Sequence, residues 1–145
     1  MGDLAKEIQS TFSSDKVKAM LNIIYTANWI NNHQTQFFKP YGISPQQYNV
    51  LRILRGAKQP LTVRQVKQRM IERAPNTTRM MDKLCAKACI DRKPSTVDRR
   101  VVHVAITKSG LDLLTQIDTS FKIDLLANLS MAEAKQLSAL LDKIR

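Results

Sequence analysis

The stretch from Leu61 to Thr107, LTVRQVKQRMIERAPNTTRMMDKLCAKACIDRKPSTVDRRVVHVAIT, constrains the fold most. It holds two short helical patterns, then a basic tip between two β runs. The first pattern starts at Thr62. Its hydroxyl can accept a backbone N–H while Gln65 reaches back, which is a capping box. Val63, Val66 and Met70 give an inward stripe, and Arg64, Lys67 and Arg69 stay polar. Residues 71–74 carry no strong helix signal and read as a turn. Pro75 then suits the first position of a new helix, where its missing N–H costs nothing.

The second pattern, from Pro75 to about Ala88, splits by face. At 3.6 residues per turn, Asn76, Arg79, Lys83 and Lys87 share one side, and Thr77, Met81, Leu84 and Ala88 share the other. One face packs on the body of the domain. The other offers an amide and three cations. A helix fits the DNA major groove, where Asn and Arg can form paired hydrogen bonds to base edges. An ordinary solvated face would look the same, so the helix alone does not decide.

The next segment of the chain shifts the balance. Ile90 to Pro94 and Val101 to Ile106 read as two strands, with Val102, Val104 and Ile106 on one face and His103 and Ala105 on the other. Between them runs Ser95-Thr96-Val97-Asp98-Arg99-Arg100. Adjacent arginines at a hairpin tip repel unless an anion takes them up, and the narrow minor groove of DNA is a recurrent site for Arg. Asp98 is placed to hold Arg100 by a bidentate pair. A solvated surface hairpin remains the alternative.

This order of helix, turn, helix and basic hairpin resembles the winged helix-turn-helix of the MarR family of bacterial and archaeal transcription regulators. The residues that carry the resemblance are Leu61-Thr62, Thr78-Arg79-Met80-Met81-Asp82-Lys83-Leu84, and Asp98-Arg99-Arg100, followed by Ile106-Thr107 and Gly110. It covers the central third closely, and the rest as a helix pattern. Two positions depart from it. Ala88 stands where the family commonly has Gly, in a cap conformation that costs Ala about 1 kcal/mol or more. Lys67 stands where a small apolar residue is common, and must snorkel or face outward.

The resemblance implies DNA contacts at Thr62, Arg64, Pro75, Asn76, Thr77, Arg79, Lys83, Lys93, Ser95, Arg99 and Arg100, with Asp98 orienting the wing. Asn76 would read bases, with help from Pro75 and Thr77. The partner would be double-stranded DNA carrying a pseudo-palindromic operator. Family members commonly release DNA when a small anionic or phenolic effector enters near the junction of the dimer and DNA lobes. Trp29, His33, Phe37, Tyr41 and Tyr48 could line such a crevice, although core packing explains the same aromatics.

Charge supports a polyanion partner. Residues 61–100 hold eleven Lys and Arg against four acids, a surplus of seven; the other 105 residues hold twelve against eight. Charge alone does not separate DNA from RNA or an anionic membrane. The cysteines, Cys85 and Cys89, are too few for a metal site, since His33 and His103 lie far off, and they read as structural thiols rather than a redox pair. No apolar run approaches a membrane span and no export signal is visible, which points to the cytoplasm. Four scattered glycines make no phosphate loop, and no nucleophile–base arrangement emerges, so neither an enzyme nor a cofactor is expected.

The flanks are apolar helices. Asp15 is a candidate cap for the first long one, in which Val17, Met20, Leu21 and Ile24 form one stripe and Ile23, Ala27, Ile30 and Phe37 another. Two stripes want neighbours on two sides. Pro40-Tyr41-Gly42 breaks this helix and Ser44-Pro45-Gln46-Gln47 starts the next, with Tyr48, Leu51 and Leu54 inward. Thr107 caps a later helix striped by Leu111, Leu114, Ile117, Phe121 and Leu125. Ser130 to Glu133 opens the last, with Leu137, Leu140, Leu141 and Ile144. The expectation is a single, mainly α domain over 1–145 with a small β-hairpin wing. Residues 44–107 form the DNA-binding lobe, and 15–39 and 108–145 form a homodimerisation lobe by resemblance to the family. The leading function is a homodimeric, sequence-specific regulator, most often a repressor in this family. A non-specific or architectural nucleic-acid binder, and a ligand or redox sensor with a secondary DNA role, remain as alternatives.

Overall fold

The computed structural model describes residues 2–72, 75–120 and 124–145. Its elements run α1 (Leu4–Glu7), α2 (Asp15–Phe38), α3 (Pro45–Ala57), β1 (Leu61–Thr62), α4 (Val63–Arg69), α5 (Thr77–Ala86), β2 (Ile90–Pro94), β3 (Val102–Ile106), α6 (Lys108–Ser120) and α7 (Met131–Ile144). Arg73 and Ala74 of the expected turn, and Phe121 of the expected stripe, lie outside the described residues.

Local signals start most helices where expected. Ser44, Thr62 and Ser130 each accept the N–H three residues on, and Gln47, Gln65 and Glu133 reach back to close three capping boxes. The hydrogen bonds of Ser130 also hold the Glu133 carboxyl below the usual glutamate range. Two starts differ from expectation by a residue or two. Ser14, not Asp15, caps α2, by accepting the N–H of Val17. Pro75 lies in a turn ahead of α5, because the carbonyl of Asn76 accepts the first helical N–H, from Met80, and makes Asn76 the cap. Leu125 also departs: it sits in a turn after α6 rather than continuing its stripe.

Between α2 and α3, Lys39–Tyr41 form a 3-10 turn closed by Gly42 at φ 68°. The sheet has the order β1-β3-β2, all antiparallel, with Val104 between Leu61 and Arg92. β1 has no signature in the sequence; two residues are too few to show a period, and Thr62 doubles as a cap.

The core collects Val50, Leu51 and Leu54 of α3, Val66 of α4, Met81 and Leu84 of α5, Ile90, Val104, and Leu114 and Ile117 of α6. Each is at most 2% exposed, and burying such a side chain contributes roughly 1.5–3 kcal/mol. An ion pair at 2.6 Å between Arg55 and Asp118 ties α3 to α6 outside this core.

The turn that releases the chain from α5 into the wing runs through the left-handed region. Ala88 takes φ 56°. The N–H of Cys89 bonds the carbonyl of Leu84, and that of Ala88 bonds Cys85, the paired bonds of a Schellman cap. Alanine thus occupies the left-handed site that favours glycine. The Thr107 hydroxyl donates to the carbonyl of Ala88 at 2.6 Å and accepts the N–H of Gly110 at 3.1 Å. Gly110 must be small there: a Cβ would stand 2.3 Å from the carbonyl oxygen of Cys89. Lys67, the other departure from the family pattern, faces outward.

Candidate nucleic-acid interface

The inward face of α5 is Thr77, Met80, Met81 and Leu84, all buried. The opposite face carries Asn76, Arg79, Lys83 and Lys87, as the periodicity predicts. These four open onto one crevice of about 890 Å³, completed in part by Lys39, Gly42, Gln46 and Glu72. Glu72 is occupied there, accepting a hydrogen bond from Gln46 at 2.9 Å. Among the described residues, Arg79, Lys83 and Lys87 have no ion-pair partner. Asn76 stands at the cap position, where Asn ordinarily bonds a helix N–H. Its side chain makes no such bond, so the amide is left for something else.

The expected contact set divides by exposure. Arg64, Pro75, Asn76, Arg79, Lys83, Lys93, Arg99 and Arg100 are exposed, and Thr62 and Ser95 are half-buried. Thr77 is a correction: at 1% exposure it packs inward as the first residue of the helix and offers nothing to a groove. Thr62 spends its hydroxyl on the N–H of Gln65. Ser95 accepts the N–H of Val97 at 3.2 Å.

At the wing tip, the Asp98 carboxylate accepts the backbone N–H of Arg100 at 3.0 Å. Its contact with the Arg100 guanidinium is a single one, at 3.9 Å, and the Arg100 side chain is 95% exposed. The expected bidentate pair is therefore not formed. Asp98 shapes the backbone of the tip, because the turn presents the amide nearer than the side chain. The sequence offered no sign of one feature nearby: Arg92 of β2 pairs with Asp82 on α5. That carboxylate holds the Arg92 charge more firmly than usual, against the opposing effect of burial.

Cys85 is half-buried and Cys89 buried, both as free thiols. Burial pushes the Cys89 thiol up, with Lys87 opposing only in part, and its sulfur lies 3.6 Å from the carbonyl of Lys87. Among the described residues no three His, Cys, Asp or Glu converge as metal ligands, and no helix is long and apolar enough to cross a membrane.

The five residues expected to line an effector crevice fall into two groups. Trp29 and His33 meet with their rings tilted by 47° on the exposed side of α2, and Trp29 borders a hollow of about 300 Å³ with Leu4, Glu7 and Tyr25. Phe37 and Tyr48 instead pack on Phe38, Tyr41 packs on Phe37, and all three lie against the core. Core packing accounts for these three, and Trp29 and His33 stay exposed.

Comparison with known proteins agrees with this geometry. The MarR family profile matches residues 41–101. The HTH-type transcriptional regulator MhqR of Bacillus subtilis is 31% identical over 119 residues, 79% of this chain and 81% of that protein. The HTH-type transcriptional regulator PapX of Escherichia coli is 29% identical over 119 residues, 79% and 73% of the two chains. A mutant of MarR from Escherichia coli, solved in complex with operator DNA, superposes with a TM-score of 0.76 at 26% identity over 99% of both chains. These relatives are regulators rather than enzymes. With its recognition helix, basic wing and flanking helices arranged in the same way, the chain belongs to the MarR family of winged-helix transcription regulators.

Proposed function

We propose that the protein is a homodimeric repressor that reads a pseudo-palindromic operator and is released by a small anionic ligand. The observation that carries the reading is the unneutralised outer face of α5, where Asn76 keeps its amide out of the helix cap. Arg79 and Lys83 come next on that face, and Arg99 and Arg100 project from the wing. The relative solved in complex with operator DNA supports DNA as the partner, and in this reading α5 enters the major groove and the wing the minor groove. Arg64 and Lys93 would meet phosphate.

Residues 44–107 form the DNA-binding lobe in this reading, and 15–39 with 108–145 form the dimer lobe. Two copies would cover the apolar faces that one chain leaves open, and place two recognition helices about one DNA turn apart. Light scattering checks this: a mass of 16.5 kDa under native conditions removes the dimer. For the effector, the crevice bordered by Lys39, Arg79, Lys83 and Lys87 replaces the aromatic site. An anion seated there would neutralise the cations that DNA needs. Such a regulator acts where the chromosome is, in the cytoplasm.

Selection of bound duplexes from random DNA tests the function directly, since it yields the operator and its symmetry together. On that site Asn76→Ala should cost about 1–3 kcal/mol, and much less on random DNA. Equal losses on both would leave the non-specific alternative, which also predicts less than the roughly 10³-fold preference of a specific binder.

A further inference from the structure

We propose that the Asp82–Arg92 ion pair is the strut that sets the wing against the recognition helix. It makes Arg92 a positioning residue for the DNA contact of the wing rather than a phosphate contact of its own. The inference rests on the reading that α5 and the wing tip both touch DNA. Asp82 lies on α5 between inward Met81 and outward Lys83, and Arg92 is the middle residue of β2. Among the described residues theirs is the ion pair that joins helix to wing. The Arg92 side chain is 30% exposed, against 95% for Arg100. The thiol of Cys85, one turn on from Asp82, faces the same guanidinium.

Beyond Pro94 the tip has only local restraints: the N–H of Ser95 on the carbonyl of Val101 at 2.7 Å, that of Val101 on Asp98, and the two bonds made by the Ser95 and Asp98 side chains. These fix the shape of the tip and leave its aim to β2. The position of β2 is fixed by its ladder with β3 and by the Ala88 turn at one end, and its tie to α5 along its length is Arg92. A guanidinium engaged by a carboxylate is not free to neutralise phosphate, so its contribution to DNA binding is geometric. An exposed pair of this kind adds little to stability, which keeps the effect separable from folding.

Asp82→Asn decides between charge and geometry, because it leaves the lobe more positive. A purely electrostatic lobe would then bind all DNA more tightly. A strut predicts that binding to the selected operator weakens about tenfold, while binding to random duplex is equal or tighter. The same strut makes Asp82→Asn and Arg100→Ala non-additive: the double variant binds operator within about twofold of Arg100→Ala alone. The reversed pair, Asp82→Arg with Arg92→Asp, recovers operator binding relative to Asp82→Arg. Thermal unfolding of each variant checks that the lobe is folded. Additive losses, or tighter operator binding by Asp82→Asn, overturn the strut and leave the wing contact standing. An unchanged Arg100→Ala overturns the wing contact itself, and the strut with it.

Discussion

The central lobe and the terminal helices use apolar residues in opposite ways. In the lobe, Val50, Leu51, Val66, Met81, Leu84 and Val104 are sealed from water, and the three-stranded sheet closes over them. On α2, up to its last turn, and on α7 most of the larger apolar residues are exposed: Met20 is 54% exposed, Ile24 53%, Leu140 53% and Ile144 68%. α7 buries none of its 14 residues. A helix of that length alone in water is marginal, and an open apolar face of that kind marks an interaction surface. The lobe is complete within one chain. The ends leave apolar faces that this chain alone does not cover.

Two substitutions test that contrast, the larger expected effect first. Leu84→Ala leaves a void in the sealed core and should cost about 2–5 kcal/mol, whatever the protein concentration. Leu140→Ala, by contrast, should destabilise in a concentration-dependent way, because it weakens association rather than packing. Denaturant unfolding across a dilution series compares the two. If both variants lose stability independently of concentration, the terminal helices have no partner copy and the contrast collapses.

Ala88→Gly sharpens the picture of the lobe. It relieves a left-handed alanine without removing any contact, so the melting temperature should rise by the equivalent of about 1 kcal/mol. A fall would mean that the gain in unfolded-chain freedom outweighs the relief.

The smallest effect concerns the start of α7. Glu133 has a folded pKa below its unfolded value, so its capping bonds stabilise the helix at neutral pH. That contribution is lost as the pH falls through the folded value, below the ordinary glutamate range. Acid titration followed by helical circular dichroism should show a loss that Glu133→Gln no longer shows. An identical acid profile for the two proteins would assign the loss to other carboxylates.

The sequence is most legible where physics is local. The capping boxes at Ser44, Thr62 and Ser130 depend on residues three apart, and the two faces of α5 on a period of 3.6. The signal blurs where two suitable residues adjoin: Ser14 beside Asp15, and Asn76 beside Pro75. For Thr77 the helical period points inward and the family resemblance points to DNA, and burial decides for the inner side. What no local rule reveals is tertiary pairing. Asp82 and Arg92 meet because a turn folds β2 back along α5. The aromatic residues around the end of α2 also read as a cavity lining, because composition does not show that Phe37 and Tyr48 both close on Phe38.

The two-residue strand β1 has a consequence for the order in which the chain folds. Hairpin β2–β3 joins residues close in sequence and can form within microseconds on its own. Pairing Leu61 with Val104 instead closes the whole segment from 61 to 104, with α4 and α5 inside the loop. Closing so long a loop costs chain entropy that a few ladder bonds do not repay. The sheet is therefore completed only with the burial of Val66, Met81 and Leu84, and β1 zips last. The helix-turn-helix and the wing become one cooperative unit, locked at its first and last residues.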